Sequence, residues 1–92
     1  MSARPAVARH FGANLAYCRK RAKLSQEELS VRASLHRTAV GQLERGERVA
    51  RVDTLIKLAD SLGVPPGELL DGIVWRAGSV QQGGFTAPSA TE

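Results

Sequence analysis

Cysteine is nearly absent from this 92-residue chain: Cys18 stands alone, so no internal disulfide can form. With only His10 and His36 beside it, the sequence has no C-x-x-C pair and no His/Cys cluster that could hold zinc, and no cofactor is implied. Long hydrophobic runs are missing too. Nothing approaches the roughly 18 consecutive apolar residues of a membrane span, and residues 1–18 lack the apolar core of a secretion signal. A soluble protein of the reducing cytoplasm with no membrane partner is expected. Neither histidine has an acid or thiol at a catalytic spacing and no glycine-rich loop is built to cradle phosphate, so no enzyme is expected. Acidic residues are scarce where basic ones are dense. Through Lys57 there are 12 Lys and Arg against 5 Asp and Glu, and from Leu58 onward 1 against 4, within a net charge of +4. The basic part can collect a polyanion by counterion release, either nucleic acid or an anionic membrane surface.

What is present is a series of helix patterns sized for one domain with one modest core. The first helix is expected from about Val7 to Ala22, with Phe11, Leu15, Cys18 and Ala22 on one face; Cys18 is then a small buried hydrophobe. The second begins at Ser25, because Ser25-Gln26-Glu27-Glu28 has the form of a capping box, with Leu24 and Leu29 placed to close a staple over it. It buries Leu29 and Ala33 and breaks at Ser34, where glycine would suit a left-handed turn better and strain is expected. A third helix is expected over about Arg37 to Arg45 and stops at Gly46. The fourth, Val52 to Leu62, turns Val52, Leu55, Ile56, Ala59 and Leu62 inward and ends at Gly63. A short fifth starts at Pro66 and carries Leu69 and Leu70. These elements predict an all-α domain over 7–71, with the helix-turn-helix at 25–46, a flexible start at 1–6 and a tail at 72–92. In that tail Ile73, Val74, Trp75, Val80 and Phe85 can pair as two short strands around Gly78 and Gly83-Gly84, and the last seven residues read as disordered.

At about 100° per residue, Arg37, Thr38, Gly41, Gln42 and Arg45 share one face of the third helix, and that face holds only polar, basic or very small side chains. Such a helix fits the major groove of DNA. Arg37 can pair with guanine O6 and N7, Gln42 with adenine N6 and N7, and Thr38 can offer a hydroxyl or a methyl, while bulk at Gly41 would hold the helix away. Phosphate contacts are expected from Gln26 on the first turn of the second helix and from the rim of Arg45, Arg48 and Arg51. His36 occupies the cap position ahead of the third helix, where Ser or Thr would be more usual, and it either touches a phosphate or simply caps poorly.

With Leu24-Ser25-Gln26-Glu27-Glu28-Leu29, Leu43-Glu44-Arg45-Gly46-Glu47-Arg48, Thr54-Leu55 and Leu62-Gly63-Val64, the chain resembles the lambda-repressor and Cro type of helix-turn-helix regulators, the xenobiotic-response-element family, from about Phe11 to Leu70. The resemblance implies a five-helix domain, a recognition helix in the major groove, and homodimers on two half-sites about one helical turn apart. It further implies an ion pair between Arg19 and Glu44. Four positions depart from the family's pattern: Ser34 and Lys23 stand where glycine is usual, Ser30 replaces a small alanine, and Arg51 replaces a Ser or Thr cap.

The function expected from these features is that of a sequence-specific regulator of transcription on double-stranded DNA, a homodimeric repressor. The alternative is an antitoxin-type module whose tail binds a partner protein, with DNA binding for autoregulation. For the tail, Ile73, Trp75 and Phe85 are the candidate dimerisation residues, in a segment that either pairs two copies or covers the core; the other reading is a floppy extension.

Overall fold

Among residues 4–77 and 83–86, which the computed structural model describes, the chain forms α1 (Arg4–Arg21), α2 (Gln26–Arg32), α3 (Ala39–Glu44), α4 (Val52–Leu62) and α5 (Pro66–Leu69), then β1 (Val74–Arg76) and β2 (Gly84–Thr86). The helix starts follow from local chemistry. Pro5 stands in the first turn of α1, where its missing N–H costs nothing. The helix therefore begins at Arg4, and residues 4–6 of the start expected to be flexible are helical. At α2 the capping box is complete: the Glu28 amide donates to Ser25 Oγ at 2.9 Å and the Ser25 amide donates to Glu28 Oε1 at 2.8 Å. That amide, as the largest cause, holds the Glu28 carboxyl below its ordinary value.

Four helices end in one way. The amide after the turn residue reaches back five residues and the turn residue's own amide reaches back three to close a tighter loop: Leu24 to Arg19 and Lys23 to Lys20, Leu35 to Ser30 and Ser34 to Val31, Glu47 to Gln42 and Gly46 to Leu43, Val64 to Ala59 and Gly63 to Asp60, all at 2.8–3.2 Å. This motif needs a left-handed residue at its corner. Glycine supplies it at Gly46 and Gly63, but Lys23 (φ 61°) and Ser34 (φ 58°) adopt it with a Cβ, so the strain expected at Ser34 is present and Lys23 shares it. Ser34→Gly is expected to raise stability by about 0.5–1 kcal/mol, the steric relief exceeding the entropy that glycine adds to the unfolded chain. Its thermal midpoint should rise by a few degrees; an unchanged or lower midpoint would show that the turn holds no strain.

The core gathers Phe11, Leu15 and Cys18 of α1, Leu29 and Ala33 at α2, Val40 and Leu43 of α3, Leu58 and Ala59 of α4, and Leu69 of α5. Burial, its largest cause, pushes the Cys18 thiol up, which keeps it protonated and unreactive. Ser30 is buried among these side chains, and its Oγ accepts the Val40 amide at 3.0 Å. The departure from alanine thus has a purpose: a hydroxyl from α2 satisfies one of the free amides in the first turn of α3.

Several expected inward positions face out. Ala22 is exposed beyond the end of α1. On α4 the buried stripe is Leu58 and Ala59, flanked by Leu55 and Leu62, while Val52 and Ile56 are 73% and 53% exposed. The helix carries two overlapping apolar stripes, and packing against α2 and α5 selects the one containing Leu58. Leu69 is buried, whereas Leu70 is not.

After Gly72 the chain enters an antiparallel hairpin pairing Val74 with Thr86, Trp75 with Phe85 and Arg76 with Gly84. The Trp75 and Phe85 rings meet edge to face, with centroids 5.2 Å apart. Of the expected dimerisation residues, Ile73 packs against the core, while Trp75 and Phe85 remain about half exposed. The Gly78 break, Val80 and residues 87–92 of the expected disordered end lie outside the described residues; Thr86, the first of that end, belongs to β2. His10 and Asn14 of α1 tie the base of the hairpin down, since His10 Nε2 and Asn14 Nδ2 reach the Asp71 carbonyl at 2.9 and 3.0 Å and Asn14 Nδ2 also reaches that of Leu69 at 3.0 Å.

Candidate nucleic-acid interface

The position of α3 is set by a contact between backbones. Gly12, in the middle of α1, lies so close to the end of α3 that a Cβ there would stand 2.5 Å from the Leu43 carbonyl oxygen and 2.6 Å from that of Glu44. A glycine inside a helix otherwise costs about 1 kcal/mol relative to alanine, and here it allows the two helices to touch.

Two turns further along α1, Arg19 grips the same end of α3. Its Nε donates to Glu44 Oε2 at 2.6 Å, its Nη2 to Glu44 Oε1 at 3.0 Å, and its Nη1 to the Leu24 carbonyl at 2.9 Å. The side chains are only 12% and 7% exposed. The pair is bidentate and nearly dry, the geometry in which an arginine–carboxylate bond is strongest. The hydrogen bond to Glu44 raises the Arg19 guanidinium above its ordinary value. Gln26 joins the network from α2, its Nε2 donating to Glu44 Oε1 at 2.8 Å. Three helices thus meet at a single carboxylate.

This arrangement also decides what covers Gly41. It is buried, and a Cβ there would lie 3.1 Å from Arg45 Nη1 and 3.2 Å from Gln26 Oε1. Gly41 therefore does not form an open, bare spot on the outer face as expected. Its small size lets Gln26 and Arg45 fold across α3.

The start of α3 differs from expectation in the same way. The helix proper begins at Ala39, with Thr38 as its N-cap residue, and residues 36–38 form a turn in which the Ala39 amide donates to the His36 carbonyl at 2.8 Å. Arg37 and Thr38 are exposed on this turn ahead of the helix. His36 Nδ1 lies 3.3 Å from the Thr38 amide, which donates to it, and 2.9 Å from Thr38 Oγ1. Gln42 is half-buried.

Among the rim arginines, Arg45 is exposed and paired with Glu47, Nε to Oε2 at 2.6 Å. That hydrogen bond lifts the guanidinium and lowers the carboxyl. Arg51 is 83% exposed and sits 3.3 Å from Asp53 at the start of α4, where its side chain forms no cap. Arg37 and Arg48 are exposed and have no side-chain partner among the described residues. The structure thus joins Gln26, Gly41 and Arg45 with Arg19 and Glu44, places Arg37, Thr38 and His36 in one adjacent turn, and sets Arg51 apart from both groups. Sequence reasoning missed Gly12, Ser30 and Glu47. Gly12 had a signal, since an isolated glycine in an otherwise regular helix pattern generally has a packing reason.

Comparison with known proteins agrees with this fold. The helix-turn-helix family model HTH_3 matches residues 15–69. The control protein C.BamHI of Bacillus amyloliquefaciens is 41% identical over 51 residues, which are 55% of this chain and 63% of that protein. The control protein C.SmaI of Serratia marcescens is 47% identical over 47 residues, 51% of this chain and 56% of that one, so the match spans less than two-thirds of either relative. Among solved structures, the restriction-modification controller protein C.AhdI from Aeromonas hydrophila superimposes with a TM-score of 0.67 at 39% identity, over 70% of this chain and 97% of that one. The chain belongs to the HTH_3 family of helix-turn-helix, DNA-binding regulators of transcription.

Proposed function

We propose that this protein binds a two-half-site operator as a homodimer and represses transcription from it, and that the genes it governs are those of a restriction–modification system. The observation that carries the DNA-reading part is the turn before α3: Arg37 and Thr38 are exposed there, Arg37 without a partner among the described residues, at the head of a helix held in place by Gly12, Arg19 and Ser30. A guanidinium held on a rigid support and left unsatisfied suits bidentate pairing with guanine. Arg48, also exposed and unpartnered among those residues, suits a phosphate. Arg45 and Arg51 would have to leave Glu47 and Asp53, or share them, to do the same. The likeness to restriction–modification controllers supports the choice of target genes. The half-exposed Trp75 and Phe85 offer apolar surface to the second copy.

Selection of bound duplexes from a random pool, with the mass of the complex measured alongside, tests this reading. A palindromic motif and two chains per duplex are expected. Arg37→Ala should cost about 1–3 kcal/mol on the selected site and relax one base position, whereas Arg48→Ala should weaken all sequences alike and reduce the salt slope by about one. Unchanged affinity and preference in Arg37→Ala would rule out this docking.

A further inference from the structure

The contact between His36 and Thr38 carries chemical information that the position of Thr38 alone does not. A backbone amide has only a proton to give. Because the Thr38 amide is directed at His36 Nδ1, that nitrogen is the acceptor. A nitrogen that accepts has no proton to offer the Thr38 hydroxyl 2.9 Å away, so the hydroxyl too must donate to the ring. Its one hydrogen is thereby spent inside the protein. What Thr38 presents outward is oxygen lone pairs and a methyl group.

We propose that His36 is a positioning residue that sets the hydrogen-bond polarity of Thr38, making this hydroxyl a pure acceptor toward DNA. The proposal rests on the reading of the α3 turn as the base-reading surface. It gives His36 a role distinct from a phosphate contact. In the major groove only adenine N6 and cytosine N4 donate, whereas guanine O6 and N7 and thymine O4 accept. The base read by Thr38 is therefore one whose amino group faces the major groove, adenine or cytosine. Without the histidine nitrogen the hydroxyl can rotate, and its proton becomes available to guanine or thymine.

The test is selection from a random duplex pool by the wild-type chain, Thr38→Val, His36→Ala, the double variant and His36→Asn, with affinity followed against salt. The base position relaxed by Thr38→Val identifies what Thr38 reads. At that position the wild type is expected to favour adenine or cytosine, and His36→Ala to erode the preference by about fivefold, the value of one neutral hydrogen bond. The erosion should vanish in the Thr38→Val background, and the salt slope of His36→Ala should match the wild type. His36→Asn, whose Oδ1 can take the same amide, should keep the preference. His36→Phe retains a ring without the nitrogen and gives the same comparison should the alanine variant fail to fold. Uniform loss of affinity with a salt slope smaller by about one would make His36 a phosphate contact and overturn the proposal. So would a preference for guanine or thymine in the wild type, or an effect of His36→Ala that persists without the Thr38 hydroxyl. Failure of the wild type to enrich any motif would remove the DNA-reading surface itself and the proposal with it, and it is recognisable before any variant is compared.

Discussion

Glu44→Ala is expected to lose about 3–5 kcal/mol of stability, a large share of the 5–15 kcal/mol that holds a domain of this size together. The loss comes less from the missing attraction than from what is left behind. Arg19 is 12% exposed, and without Glu44 its guanidinium keeps only the Leu24 carbonyl while remaining shielded from water. Gln26 loses its acceptor in the same step, and with it one of the ties between α2 and α3. The thermal midpoint should fall by roughly 15 °C or more. Replacing both partners with apolar residues of similar volume, Arg19→Met with Glu44→Met, should recover much of the loss, because no buried charge is then stranded. A Glu44→Ala midpoint within a few degrees of wild type would show that Arg19 escapes to solvent at no cost and that the pair is not structural.

Gly12→Ala sets two effects of opposite sign against each other. Helix propensity alone favours alanine by about 1 kcal/mol. The new Cβ, however, would sit 2.5 Å from the Leu43 oxygen, 2.6 Å from the Glu44 oxygen and 2.9 Å from the Glu44 carbonyl carbon, all backbone atoms that cannot rotate away. Relief requires α1 and α3 to part, which typically costs 1–3 kcal/mol in a packed core and more where the obstacle is rigid; roughly 2 kcal/mol of net destabilisation is expected. Because the shift falls on the end of α3 that Arg19 grips, DNA affinity should drop more than the melting curve alone suggests. Thermal melts of Gly12→Ala and Gly12→Val decide the point: a clear fall for the first and failure to fold for the second are expected. A midpoint at or above wild type for Gly12→Ala would mean that propensity wins and the helices have room.

Parts of this architecture are legible in one dimension because their chemistry spans only a few residues. The capping box of Ser25 and Glu28, the stops at Gly46 and Gly63 and the strain at Ser34 each concern neighbours along the chain, and each is present where the local pattern places it. The Arg19–Glu44 pair was reached through family resemblance, since no spacing rule connects residues 25 positions apart. Elsewhere the local pattern was ambiguous. In α4, Val52 and Ile56 fit an apolar stripe as well as Leu58 does, and periodicity cannot tell which of two overlapping stripes meets a neighbour. At the start of α3 an ideal helix put Arg37 and Thr38 on the helix face. The His36 ring instead takes the Thr38 amide and leaves both residues on a turn.

The sequence by itself determined the number and order of the helices, the cap at Ser25, the stops at Gly46 and Gly63, and which part of the chain is basic, because caps, charge and period are properties of adjacent residues. Only the tertiary structure decided how α3 is held and what each outward group can offer. Gly12 against the Leu43 carbonyl, Ser30 beneath the Val40 amide and Gln26 folded over Gly41 are contacts between different helices, and their energies exist only at the distances that packing brings about.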